Sequence, residues 1–307
     1  MGRTVAETIK AVTRDHLKSG RGVLFGQCVT AVGWIGGTVP ELTEEEGIIE
    51  LPMADVAGAG IAVGAALMAG CRPIYVIRYQ GFMTYNAASL LNYAAKSKEM
   101  WGIPCPVLVR AIGMEGGIGP VAGGCHHAMV MRMPGMPVVA PMTPGEWAAA
   151  WDWYLNHDDP VYISEHRRSF PITEEMPNQK RPDSRLTVFG ISASRLNARE
   201  AIGQLAVEGI ACDLFHLVWL KPFTVTEEMV ASLRETGRGI VIDSDYESCG
   251  ASQSLAYQLM HASGVPVHAM GLEDRTPGFA PQHDNPTPRV ERIADALRNL
   301  AGRGRAT

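Results

Sequence analysis

One acid, two adjacent histidines, an aromatic pair and an isolated arginine are the side chains of this 307-residue chain best placed to do chemistry. Asp55 interrupts the run over 50–70, where a short extended stretch leads into a helix of small residues. Gly60 and Gly64 lie on one face of that helix, with Ala57, Ala65 and Ala69 near them. A carboxylate at a helix N-terminus either answers the helix dipole or points at a ligand, and both readings stand at this point. His126 and His127 follow Gly123-Gly124-Cys125. Histidine exchanges protons near neutral pH and also ligates metals, but no third ligand at suitable spacing accompanies the pair, so no metal site is expected. Tyr79 and Phe82 close an apolar strand, where aromatics commonly serve the core. Arg78, a charge on that same strand, is available to an acidic substrate group or to a carboxylate of the protein.

The elements that must carry these residues follow from periodicity. Glycine in a helix costs roughly 1 kcal/mol relative to alanine, so several in one helix predict close approach of another backbone, either in a tightly packed buried helix or at a subunit interface. The uncharged run over 56–71 is shorter than the ~20 residues a bilayer requires, so no membrane span is expected. Val5, Ile9 and Val12 predict an opening helix over 4–18. Apolar, β-branched runs predict strands over 23–26, 48–50, 73–79, 106–112, 137–141 and 160–164. Glycine-rich loops are expected over 27–40 and 113–124. A helix is expected over 84–101 with Leu90, Leu91, Tyr93 and Ala94 inward, and another begins at Thr143, whose N-cap is completed by Pro144 and Glu146. After a polar linker over 171–184 containing three prolines, strands (186–190, 212–218, 239–243, 265–270) again alternate with helices (194–208, 226–235, 251–262, 288–301). This alternation predicts two three-layer α/β/α domains with mainly parallel sheets, over 1–170 and 185–307.

Net charge is −5 without a basic block, so nucleic acid is not an expected partner. Six scattered cysteines without CxxC spacing read as reduced thiols. The charged N-terminal stretch lacks the apolar core of a signal peptide. A cytoplasmic location is expected.

The order of motifs resembles the β subunit of the thiamine-diphosphate-dependent 2-oxo acid dehydrogenase decarboxylating component, in the transketolase superfamily. The likeness is carried by Pro52, Asp55 and the glycine-rich helix to Gly70, by Tyr79 and Phe82, and by Asn92-Tyr93-Ala94-Ala95-Lys96. It continues through the glycine loop ending at His127, Val138-Val139-Ala140-Pro141-Met142-Thr143-Pro144, Asp158-Asp159-Pro160-Val161-Tyr162, and Leu220-Lys221-Pro222-Phe223 with the run to Asp243. The resemblance implies a chain that binds the aminopyrimidine half of thiamine diphosphate. Asp55 would be the acid on the pyrimidine N1′, Phe82 the stacking aromatic with Tyr79 beside it, and His127 the residue facing substrate, with His126 next to it. Arg78 becomes a candidate substrate residue. The family holds the diphosphate and Mg²⁺ on an α chain with a Gly-Asp-Gly…Asn signature, and this sequence contains no Gly-Asp-Gly. The resemblance thus implies an α₂β₂ heterotetramer, acting on a small-molecule 2-oxo acid or ketose with a lipoyl protein as one possible acceptor.

Two departures stand out. Asp55 replaces the family's glutamate and is shorter by about 1.5 Å, where a misplacement of about 1 Å costs on the order of a hundredfold in rate. Gly26-Gln27-Cys28-Val29 replaces Gly-Glu-Asp-Val, so two acids have become neutral. The rival readings are the C-terminal half of a split transketolase and, from another class, a non-catalytic supporting subunit.

Overall fold

The protein, seen in a computed structural model, is described over residues 2–30, 35–115 and 118–302. Parts of both predicted glycine loops, 31–34 and 116–117, lie outside the described residues. Two compact units emerge: Met1–Met114 with Cys125–Glu175, and Glu115–Gly124 with Met176–Thr307.

The first unit opens with α1 (Val5–Lys18), closed at its start by a reciprocal capping box between Thr4 and Glu7. Its strands β1 (Gly22–Gly26), β2 (Ile48–Glu50), β3 (Arg72–Ile77), β4 (Leu108–Gly113), β5 (Val138–Val139) and β6 (Val161–His166) pair in the order β2-β1-β3-β4-β6-β5, all parallel. Strands β3, β4 and β6 are buried at every residue, as expected of inner strands covered on both faces. Helices α2 (Asp55–Ala69), α3 (Met83–Ser89), α4 (Ala95–Trp101), α5 (His127–Met131) and α6 (Pro144–Asn156) complete the unit. Thr143 caps α6, as its sequence predicts, and the Glu146 carboxylate accepts from the Met142 N–H at 2.8 Å.

Two expectations need correction. The helix predicted over 84–101 is broken by a π-turn, Leu90–Ala94, between α3 and α4. Leu90, Leu91 and Ala94 point inward as expected, but Tyr93 is 58% exposed. A π-turn adds a residue to the repeat and rotates the next turn out of phase with a 3.6-residue pattern. In α2, the face of Gly60 and Gly64 is open within this chain, against the buried-helix reading: among the described residues a Cβ on Gly64 would meet nothing within 4 Å, and one on Gly60 would meet only Ser89 Oγ at 3.5 Å. Met53, just before this helix, and Val56, Ile61 and Met68 on it are exposed.

The second unit holds β7 (Thr187–Ile191), β8 (Asp213–Leu217), a short β9 (Trp219–Lys221), β10 (Gly239–Tyr246) and β11 (Val267–Leu272). A four-stranded parallel sheet runs β11-β10-β7-β8. Its helices are α7 (Ser194–Val207), α8 (Glu227–Thr236), α9 (Ala251–Ser263) and α10 (Val290–Gly302). Ala198, Ile202 and Leu205 of α7 and Ile293 and Leu297 of α10 form one core with Val188, Leu214 and Ile242 of the sheet. The alternation of short strands and helices thus produces the predicted parallel architecture in each unit.

Candidate active site

In an open parallel sheet, ligands bind at the carboxyl ends of the strands, and every candidate residue of the first unit lies on a segment leaving that edge. The chain after β3 is the organising segment. A single 3₁₀ turn, Gln80–Phe82, brings Phe82 to a half-buried position and turns Gln80 fully inward. The Phe82 ring lies 5.8 Å from Tyr79. The Arg78 guanidinium sits 5.1 Å over the Tyr79 ring and donates to Cys28 Sγ at 3.1 Å.

Asp55 is the first residue of α2, after the N-cap Ala54, and no side chain caps this helix. Its carboxylate instead faces the start of α3. Asn86 Nδ2 donates to Asp55 Oδ1 at 3.4 Å and to the Phe82 carbonyl at 2.8 Å, while Tyr75 Oη donates to Asn86 Oδ1 at 2.7 Å. One buried amide thereby brings the predicted acid and the predicted aromatic together. Asp55 itself is half-buried, and among the described residues nothing donates to its Oδ2.

The two histidines are joined to this segment by Gln80. The His126 backbone N–H donates to Gln80 Oε1 at 2.7 Å, and Gln80 Nε2 donates to Ser164 Oγ at 2.8 Å and to the carbonyls of Ala111 and Glu165. Ser164 Oγ in turn lies 3.0 Å from His127 Nδ1. His127 has no exposed surface, whereas His126 is half-buried. No three His, Cys, Asp or Glu side chains come together to hold a metal among the described residues.

Below the edge, Arg110 on β4 and Glu165 on β6 form a fully buried bidentate ion pair, with Nε–Oε1 at 2.6 Å and Nη2–Oε2 at 3.0 Å. Arg110 also donates to Thr38 Oγ1 at 2.7 Å, tethering the loop after β1. Glu50, at the end of β2, gathers the start of that loop through the Cys28 and Thr30 backbone N–H groups and the Thr30 hydroxyl. Gln80, Asn86, Ser164, Glu50 and the Arg110–Glu165 pair are residues that motif reading passes over. Only Arg110 carried a signal, a charge inside an apolar strand like that of Arg78.

Residues 6–173 match the family described as transketolase, pyrimidine binding domain, and residues 177–292 match transketolase, C-terminal domain. The chain belongs to the transketolase family. Within it, this chain is 27% identical over 302 residues to the acetoin:2,6-dichlorophenolindophenol oxidoreductase subunit beta of Cupriavidus necator, covering 90% of this chain and 87% of that protein. It is 25% identical over 301 residues to the pyruvate dehydrogenase E1 component subunit beta of Bacillus subtilis, covering 89% and 90%. Among solved structures, a split-gene transketolase described as an inactive β4 tetramer superposes with a TM-score of 0.74 at 18% identity, over 98% of this chain and 99% of that one. The transketolase of Campylobacter jejuni superposes at 0.72 and 17% identity, over 98% of this chain and 46% of that one. The fold and the family read from the motifs are both borne out.

Transketolase-family membership implies thiamine diphosphate as cofactor. The residues present fit its aminopyrimidine half. A flat hydrogen-bonding ring needs an aromatic wall and a carboxylate acceptor, and half-buried Phe82 and Tyr79, with the half-buried Asp55 carboxylate, are residues of those types.

Proposed function

We propose that this chain is the β-type subunit of a two-chain thiamine-diphosphate enzyme that cleaves a 2-oxo acid next to its carbonyl and passes the activated aldehyde to an acceptor. The observation that carries the reading is the half-buried Asp55 carboxylate, linked through Asn86 to the Phe82 backbone, with one oxygen that takes no hydrogen bond among the described residues. Relatives named as β subunits of pyruvate dehydrogenase and of an acetoin oxidoreductase support the two-chain part of it.

When bound, the cofactor supplies a carbon nucleophile for the substrate carbonyl. The protein's own part is binding, orientation and proton handling. Asp55 Oδ2 would accept a hydrogen bond from the pyrimidine ring, and Phe82 and Tyr79 would wall it and exclude water. Arg78 attracts the substrate's acidic group. Proton exchange falls to the histidine pair, His126 being the half-buried one and His127 being set by Ser164. An α-type partner would supply the diphosphate and Mg²⁺ contacts, in an α₂β₂ assembly formed in the cytoplasm. The open small-residue face of α2, flanked by exposed Met53, Val56, Ile61 and Met68, is the surface we assign to chain association.

Purifying the chain from its own host tests this directly. A stoichiometric partner and bound thiamine diphosphate are expected, with decarboxylation of a 2-oxo acid abolished by Asp55→Ala. A homo-oligomer that takes up no cofactor when thiamine diphosphate and Mg²⁺ are added would favour a non-catalytic subunit instead.

A further inference from the structure

The contacts of Asn86 are more ordered than a simple packing role requires. Its side chain is wholly buried between β3, the 3₁₀ turn and the start of α2. A carbonyl oxygen only accepts, so the atom 2.8 Å from the Phe82 carbonyl must be the amide nitrogen. That fixes which way the amide points. Oδ1 then faces Tyr75, whose hydroxyl must be the donor at 2.7 Å, and the remaining N–H of Nδ2 is directed at Asp55 Oδ1. Burial first, and then the negative charge of Asp55, push the Tyr75 phenol above its ordinary range, so it stays protonated and keeps donating. The chain of donors therefore has one direction, from Tyr75 through Asn86 to Asp55.

Space for this arrangement is kept by one glycine. A Cβ at Gly58, in the first turn of α2, would lie 2.7 Å from Tyr75 Oη and 3.3 Å from Leu51 Cδ1. Gly64, by contrast, has open space where its Cβ would stand. The glycine the helix needs within this chain is thus the one over the Tyr75 hydroxyl.

We propose that Asn86, anchored by Tyr75 beneath Gly58, is a positioning residue that occupies Asp55 Oδ1 and so presents Oδ2 to the ring of the bound cofactor. The proposal rests on the reading of Asp55 given above. It explains how a short acid is held: a side chain with two rotatable bonds, engaged on one oxygen, keeps the other in a fixed direction. Hydrogen bonds of this kind are often long before the ligand arrives and tighten when it binds, which accords with the 3.4 Å separation.

The test uses the chain in the assembly in which it purifies from its host, with thiamine diphosphate and Mg²⁺ as the probe. Tyr75→Phe, Asn86→Ala and the double variant are made alone and together with Asp55→Ala; cofactor affinity is measured by equilibrium titration and stability by thermal melting. Tyr75→Phe keeps the ring, so it serves where Asn86→Ala fails to fold. Asn86→Ala is expected to weaken cofactor binding roughly tenfold, the scale of a lost hydrogen bond to a charged group. Tyr75→Phe should weaken it less, and the double variant no more than Asn86→Ala, because the two act in series. Combined with Asp55→Ala, neither should alter affinity further. The relay is overturned if Asp55→Ala weakens binding while both single variants stay within about twofold of the natural protein. It is also overturned if their effects multiply and persist without Asp55, which is the signature of packing. Unchanged affinity and turnover in Asp55→Ala alone would overturn the site assignment itself, an outcome separable from the other two.

Discussion

Gln80 accepts a hydrogen bond from the backbone N–H of His126 at 2.7 Å, so the turn that carries Phe82 also holds the start of the histidine segment. The two segments leave different strands and are 46 residues apart in sequence. Their common anchor is a wholly buried amide that also reaches Ser164, the partner of His127.

Replacing Gln80 by Leu removes that anchor and strands the groups it satisfies. Each buried polar group left unpaired costs about 1–3 kcal/mol, so a lower melting temperature is expected. Turnover of the assembled enzyme should fall more than its affinity for thiamine diphosphate, since Asp55 and Asn86 are untouched. Steady-state kinetics beside a cofactor titration separates the two effects.

The Arg110–Glu165 pair has no exposed side-chain surface on either partner. Arg110→Met leaves Glu165 buried without its counter-charge, a change worth about 3–5 kcal/mol of stability. Arg110→Met combined with Glu165→Leu should cost clearly less, because no charge is then stranded. Denaturant unfolding of the two variants measures the difference. Equal losses would mean that packing around Trp147, 5.7 Å from the Arg110 guanidinium, dominates.

Gly64→Ala separates the isolated chain from its assembly. With nothing among the described residues within 4 Å of the added methyl, the substitution should stabilise the chain alone by up to about 1 kcal/mol through helix propensity. If the open face of α2 meets another chain, the same methyl should weaken that association. Thermal melts of the single chain and sedimentation of the complex give the two readings.

Acid should weaken the second unit through His216. Burial first, then the charges of Arg195 and Arg199, push its imidazole down to about 3 from an ordinary 6.5. Between those values the unfolded chain binds the proton and the folded chain does not, so stability falls as pH drops below about 6.5 and the loss levels off near 3. His16, lowered chiefly by burial, acts in the same direction in the first unit. His216→Gln should flatten the dependence of unfolding free energy on pH between about 6.5 and 5, above the range where most carboxylates titrate.

Much of this molecule is written in local sequence. Strand and helix order, the Thr143 cap and the parallel architecture follow from periodicities of two and 3.6 and from turn residues, all properties of a few neighbouring side chains. The motifs likewise placed the chain in its family and singled out Asp55 and Phe82, which the fold brings together. Tertiary structure decided what joins them. Gln80, Asn86, Ser164 and Glu50 are ordinary polar residues whose importance comes from what lies opposite them after folding, and hydrogen bonds between residues 11 to 85 positions apart leave no periodic trace. The outward turn of Tyr93 belongs to the same class, because a single extra residue in the helical repeat is chosen by packing rather than by propensity. Sequence alone could single out Asp55; only the fold shows that its Oδ1 takes the Asn86 amide, since that depends on a tyrosine beneath a glycine one strand and one helix away.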